Sequence, residues 1–394
     1  MLVRAGHVEQ AKELCESLGV TFDLSGTNLR LAPLTGAVLS GENLKAANLQ
    51  HTVFTGAHLD SAILAQTDMR WSALQGATLH AADLTNADLR WANLTGANLQ
   101  EATLPQAKFY RATLTRTNLR RAVLTGASFN EAKAAEACFQ GAQLSESAFR
   151  FTKLRQAAFD NADLRNADFH FAKLSEASLT AADLSGANLY NTRLHGANLS
   201  GADLSGANLN EANLAEANLT GALLCRADLI GANLRRANLQ TADLEGARYD
   251  SSTHWPENFD HHNSGAIGPY ANLNGVDFRR TNLSGVDLFK ANLAEANLEG
   301  ADLSGTDLRG ANLAEANLAG ANLEGADLSG AKLTGAGLNG ADQKWANLWG
   351  TVLRTVDLHG AVYNAVPHVE RGSITRFPDD FDPEAHNMIL DNTD

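Results

Sequence analysis

Residues 197–220 read ANLSGADLSGANLNEANLAEANLT. This is one five-residue phrase said repeatedly: a small residue, then Asn or Asp, then Leu, then two variable residues. With Leu as its register mark, the phrase extends far in both directions. Every fifth position from Leu24 to Leu244 carries Leu, Phe or Met, with Ala134 the exception. The frame then breaks, resumes at Leu273 and runs to Leu358, where only Gln343 misfits. Self-similarity at a fixed short period is the mark of a stacked-repeat architecture.

A period of five fits neither the 3.6 of a helix nor the alternation of a flat strand. The Leu and the small residue two before it must nevertheless share one interior. A chain achieves this by bending at each phrase, so that two residues point inward and three outward. The period alone does not fix how many bends close a coil. The phrase A-(D/N)-L-x-x resembles that of the pentapeptide-repeat proteins, over roughly residues 24–363. That resemblance implies an all-β solenoid, a right-handed quadrilateral β-helix of about 20 residues per coil. Each buried Leu contributes about 1.5–3 kcal/mol, against about 1–2 kcal/mol of backbone entropy for every ordered residue. One coil alone cannot break even, so each needs a neighbour. The Asn and Asp side chains are expected to bond nearby turn backbone, which gives most of the acids a structural role.

At 394 residues the chain exceeds a usual single domain, but a solenoid core grows lengthwise and escapes that limit. Cys15, Cys138 and Cys225 are far apart and odd in number, which argues against a disulfide framework and for a reduced, cytoplasmic setting; the resemblance implies a bacterial source. No apolar run is long enough to cross a bilayer, and the N-terminus lacks a signal-peptide pattern. Net charge is −14, unevenly spread: residues 1–200 hold 18 acids and 18 bases, residues 201–394 hold 27 and 13. An acidic block thus follows a neutral one.

In chain order, residues 1–22 are expected to form a helical N-cap over the exposed end of the solenoid. Within them 1–20 read as an amphipathic helix, with Val3, Ala11, Leu14 and Leu18 on one side and Gly19 as the stop. Residues 23–249 form the long repeat block. If residues twenty apart lie above one another, Phe109, Phe129, Phe149 and Phe169 stack inside it, faced by Phe139 and Phe159, with small Ala134 relieving the crowding. Residues 250–271 break the phrase, and GARYDSSTHWPENFD resembles the tail that follows the last repeat in cyanobacterial pentapeptide proteins. Similar wording, GAVYN at 360–364 and TRFPDDFDP at 375–383, closes the second block, residues 272–363. Two endings suggest two tandem modules, the rival being one helix with residues 250–271 ejected as a surface loop. Gln343, with Trp345 and Trp349 nearby, is expected in a frayed last coil, and 364–394 is a polar tail. His254, His261 and His262 cluster without Cys or fixed ligand spacing, so no metal or other cofactor is expected.

The outward columns of the long block carry the functional signal. The first position after the mark gives Arg30, Arg70, Arg90, Tyr110, Arg150, His170 and Tyr190, and the second gives Leu31, Trp71, Trp91, Arg111, Phe151 and Phe171. The adjoining column holds Lys133, Lys153, Lys173 and Arg193. Contiguous exposed aromatics mark interaction sites, and Trp, Tyr and Arg are enriched at binding hot spots. A plainer reading is decorated surface: Glu131 would sit above Arg111 and Glu136 above Arg116, pairing part of the belt internally.

No nucleophile, base and orienting group converge in the sequence, and a convex rod offers no cleft, so an enzyme is not expected. The expected function is a protein-interaction scaffold binding a protein partner of unknown identity, with no small-molecule substrate and no membrane. The alternative is DNA mimicry, as in the gyrase-protecting members of the resembled superfamily: an acidic rod acting on a DNA-binding protein such as a type II topoisomerase. Direct nucleic-acid binding is disfavoured by the net negative charge.

Overall fold

The five positions of the phrase have separate structural duties, seen in a computed structural model describing residues 1–344, 346–348, 351, 353, 356–363, 375–379 and 381–390. Residues at the register mark, such as Leu34, Leu39, Leu44 and Leu49, are wholly buried, and so are alanines two places before a mark, such as Ala57 and Ala62. Between them, at the Asn or Asp position, the backbone pairs in parallel with the residue twenty places on: Asn28 with Asn48, Asn48 with Asp68, Asp68 with Asp88. The Leu29 amide donates to the Asn48 carbonyl at 2.9 Å, and the Asn48 amide donates to that of Thr27 at 2.9 Å. Each bridge is one residue long, so the ladders run up the solenoid while no long strand forms.

Two residues past the mark the backbone enters the left-handed region, with φ of 64° at Gly36 and 60° at Glu101, and the next amide returns to the mark's carbonyl, Ala32 to Leu29 at 3.0 Å. A positive φ at the third residue is what a type II turn requires. The Asn and Asp side chains brace these turns. Oδ1 of Asp83 accepts the Thr85 amide at 2.9 Å, and Asn118 Nδ2 donates to Oδ1 of Asn98 at 2.9 Å, one coil away.

The chain divides into two compact units. Unit 1 comprises Met1–Asp243 with His254–Glu257. Its helix α1 spans Val8–Ser17, after a 3-10 turn at Val3–Ala5, and is shorter than the 1–20 expected. Gly6 interrupts it with a φ of 89°, and a Cβ there would stand 2.7 Å from the Pro33 carbonyl oxygen. Val3, Val8 and Ala11 are buried, whereas Leu14 and Leu18 are 50% and 67% exposed. The segment therefore seats through its first turns and not along the Leu14 and Leu18 side. Lys12 holds it, donating to the Val38 carbonyl at 2.8 Å and pairing with Glu42 at 2.9 Å.

Inside unit 1 the Phe rings stack as the twenty-residue offset requires. Phe109, Phe129, Phe149 and Phe169 lie 4.7 Å apart and parallel, and Phe139 and Phe159 form a second stack at 4.7 Å. The stacks meet edge-on, Phe129 to Phe139 at 5.6 Å. Relief of crowding does not explain Ala134. The next coil holds Phe149 and Phe159 edge-on at 5.8 Å with Leu154 wholly buried between them in the chain.

Unit 2 comprises Leu244–Thr253 and Asn258–Asp394. Its frame-breaking segment is ordered by Tyr249, which is buried and donates its hydroxyl to the Pro269 carbonyl at 2.7 Å. Repeat ladders run from Asn272 with Asn292 to Asp342 with Val362, and strand β1 (Val362–Tyr363) pairs in parallel with β2 (Ile389–Leu390). Gln343 does not lie in a frayed coil. It is wholly buried, its amide donates to the Val362 carbonyl at 2.8 Å, and its carbonyl accepts the Thr375 hydroxyl at 2.9 Å. Neither polar atom of its side chain has a partner among the described residues. Trp345, Trp349, Asn364 and much of the 364–394 tail lie outside the described residues.

Candidate protein-interaction surface

The aromatic columns of unit 1 assemble at a corner of the solenoid, because residues after the mark are forced outward by the turn. Trp71 and Trp91 stack at 4.6 Å with planes 2° apart. His51 continues the stack below at 6.0 Å, and Tyr110 closes it edge-on at 5.7 Å. Higher up, Phe151 and Phe171 stack at 5.2 Å, with His170 edge-on to Phe171 at 4.3 Å and tilted against Tyr190 at 5.0 Å. Trp71 is 49% exposed and Phe151 54%. His51 was missed in the sequence, although it occupies the same every-twentieth column as Trp71; its single imidazole carried too little weight beside the tryptophans.

These aromatics stand on unfavourable backbone. Trp71, Trp91, Phe151 and Phe171 have φ of 62°, 59°, 57° and 58°. The left-handed region costs an L-residue about 1–2 kcal/mol, and a bulky side chain there is an outlier.

The arginines of the face are neutralised. Arg70 meets Asp68 at 2.6 Å, Arg90 meets Asp88 at 2.6 Å, and Arg111 meets Glu131 at 2.7 Å, while Arg150 pairs with Asp168. Arg90 also lies over Trp91 at 5.6 Å and Arg111 over Tyr110 at 5.0 Å. The Arg111 guanidinium, and then the Tyr110 hydroxyl, hold the Glu131 carboxylate below its usual range. The same bond to Glu131 raises the Tyr110 phenol. Lys133, Lys153, Lys173 and Arg193 form a separate ladder on the adjoining wall, bridged in that order and all exposed. The expected basic and aromatic face thus resolves into an aromatic corner with paired arginines and a wall of stacked cations.

Among the described residues, no group of three or more His, Cys, Asp or Glu could hold a metal ion, and no helix is long and apolar enough to cross a membrane. Cys15, Cys138 and Cys225 are free thiols.

Parallel one-residue ladders at a fixed twenty-residue offset, over a core of Leu and Ala, define a β-helical solenoid built from five-residue repeats. The family model described as pentapeptide repeats matches residues 43–74, 72–109, 172–210, 207–246, 271–310 and 311–342, and the pentapeptide repeat region model matches 112–182. The chain belongs to the pentapeptide-repeat family, and its fold is the right-handed β-helix. No catalytic family is among these family matches. One similar solved structure is HetL, a pentapeptide repeat protein involved in heterocyst differentiation regulation from the cyanobacterium Nostoc sp. strain PCC 7120. It is 34% identical, over 66% of this chain and 92% of that one, with a TM-score of 0.34. The pentapeptide repeat protein alr5209 of the same cyanobacterium is 47% identical over 26% of this chain and 82% of its own, with a TM-score of 0.18. QnrB1, a plasmid-mediated fluoroquinolone resistance protein, is 20% identical over 45% and 90%, with a TM-score of 0.29. No curated protein matches the chain.

Proposed function

We propose that the protein is a non-enzymatic, cytoplasmic scaffold that binds a protein partner through the aromatic corner of unit 1. The observation that carries this reading is the placement of exposed or half-exposed, stacked aromatics at left-handed turn positions that other repeats give to Gly, as at Gly36 and Gly96, or to polar residues, as at Glu101 and Gln106. Outliers of this kind persist where surrounding structure holds them and concentrate at functional sites. The reading uses a quadrilateral coil of four pentapeptides, supported by the twenty-residue bridge offset. It also takes residues 1–22 as a cap, 23–249 and 272–363 as two repeat modules, 250–271 as their connector and 364–394 as a tail. The test replaces Trp71 and Trp91 by Gly together. Capture of a partner from a native lysate should fall at least tenfold while circular dichroism shows the variant still folded at the assay temperature, and undiminished capture would remove the claim.

A second reading, an acidic mimic of DNA acting on a type II topoisomerase, has one supporting observation: Asp287, Asp307 and Asp327 stack in a single ladder of unit 2, although Arg309 pairs with Asp307 at 2.6 Å. Charge repeated along a rod is what a duplex presents. A gyrase supercoiling assay that shows no effect of the protein across salt concentrations would end it.

A further inference from the structure

On the wall beside the aromatic corner, Lys133, Lys153, Lys173 and Arg193 stand one above another, joined by successive parallel bridges. Like charges directly opposite on paired backbone are destabilising. Six other cations of unit 1, Arg70, Arg90, Arg111, Arg116, Arg150 and Arg165, each meet a carboxylate. The four ladder cations meet none among the described residues. Nor does the ladder need them, since the same column holds Asn93 and Thr113 on one side and Asn213 on the other. Cations stacked without counter-charge, in a column that accepts neutral residues, imply that the opposing charge comes from another molecule.

We propose that this ladder docks an acidic, extended segment of a partner protein. The proposal rests on the scaffold reading above and specifies the partner's chemistry. Stacked backbones lie about 4.8 Å apart, so four rungs span about 14 Å. An extended chain rises about 3.3 Å per residue, so carboxylates at three alternating positions span about 13 Å and match the ladder's length. The exposed Phe151, with Phe171 stacked on it at 5.2 Å, stands two residues before Lys153 in the chain and offers apolar contact beside the charges. A duplex would use a longer run, because one helical turn covers about 34 Å. The ladder's length therefore favours a short acidic peptide over a duplex, and a single strand is left to the test below.

The experiment measures fluorescence anisotropy of a labelled peptide of alternating Asp and Ser, titrated with the full chain at low and moderate salt. Binding should weaken with salt, and Lys153→Gln with Lys173→Gln should cut affinity by about 2- to 25-fold, since each exposed ion pair is worth about 0.2–1 kcal/mol. Lys153→Glu with Lys173→Glu should abolish it. Arg235→Gln, an exposed cation outside the ladder, should leave affinity unchanged. Equal affinity in the ladder variants, an equal loss in Arg235→Gln, or tighter binding of a single-stranded oligonucleotide of the same charge would each overturn the proposal. The Trp71→Gly, Trp91→Gly variant should keep peptide binding. Partner capture lost in that variant but untouched in the ladder variants would sink the ladder alone and leave the scaffold reading standing.

Discussion

Ala134 to Leu restores the residue that the repeat carries at nearly every other mark, and the structure predicts that it stabilises the protein. Ala134 is wholly buried. The wall that carries it has not moved inward: the Ala134 amide reaches the Lys153 carbonyl at 2.8 Å, as Leu154 reaches Lys173 at 2.8 Å one coil on. The ladder thus keeps its geometry while the side chain is three carbons short of Leu. Leu154, in the next coil, fits beside the edge-on pair of Phe149 and Phe159. The coil of Ala134 has the same arrangement, with Phe129 and Phe139 at 5.6 Å. Three buried carbons are worth about 2.4 kcal/mol at about 0.8 kcal/mol each, less about 0.5–1 kcal/mol for fixing the Leu rotamer. The expected gain is about 1–2 kcal/mol. Guanidinium denaturation followed by far-UV circular dichroism reads it, with the slope compared between variants because stacked repeats can unfold in parts. Lower stability for Ala134→Leu, restored when Phe129→Leu is added, would show that the Phe rings do occupy the space and that the reasoning is wrong.

Two further substitutions test unit 2. Burial, with the neighbouring Asp307 adding to it, pushes the Asp287 carboxyl above its ordinary value. A group whose pKa rises on folding favours the folded state below its unfolded pKa and loses that contribution as pH climbs through the folded value. Asn can still accept the Phe289 amide, as Asp287 Oδ1 does at 3.0 Å. Asp287→Asn should therefore raise the denaturation midpoint at neutral pH and lose its advantage in acid; a deficit at both pH values would count against this account. Gln343→Leu removes two buried polar atoms that have no partner among the described residues and should stabilise by about 1–3 kcal/mol. A lower urea midpoint would show that the amide has a structural role.

The fold was legible because the repeat imposes the same physical demand on each phrase. Once Leu and Ala share an interior, the offset that stacks Phe109 on Phe129 also stacks Trp71 on Trp91, and one periodicity places both. What the sequence could not show were the departures from that demand. The N-terminal apolar side looked helical from Val3 to Leu18, but the left-handed backbone of Gly6, at φ 89°, breaks the helix. Gln343 looked like a coil end, because nothing local reveals that Thr375 returns to its carbonyl. At the candidate surface the residues were readable by column, while their charge state was not. Arg70 reaches Asp68 two residues away, which the column view had assigned to structure.

A repeat with two inward positions and one hydrogen-bonded wall position leaves its two turn positions freest to vary. The second of these sits at positive φ, where Gly is the unstrained occupant. A lone Trp there costs about 1–2 kcal/mol, and a stacked aromatic pair returns about 0.5–1.5 kcal/mol. Stacking therefore offsets the strain in part only when the neighbouring coil also carries a ring, and the aromatics do occur in successive coils, Trp71 with Trp91 and Phe151 with Phe171. The same arithmetic explains why Trp71 and Trp91 must be replaced together. The double Gly variant relaxes two turns but loses three ring contacts, Trp71 with Trp91, His51 with Trp71 and Trp91 with Tyr110, and adds about 0.5–1 kcal/mol of chain entropy at each Gly. At mid-range values folding loses about 1–2 kcal/mol, so capture is compared at a temperature where both proteins are fully folded, and a loss there reports on the surface itself.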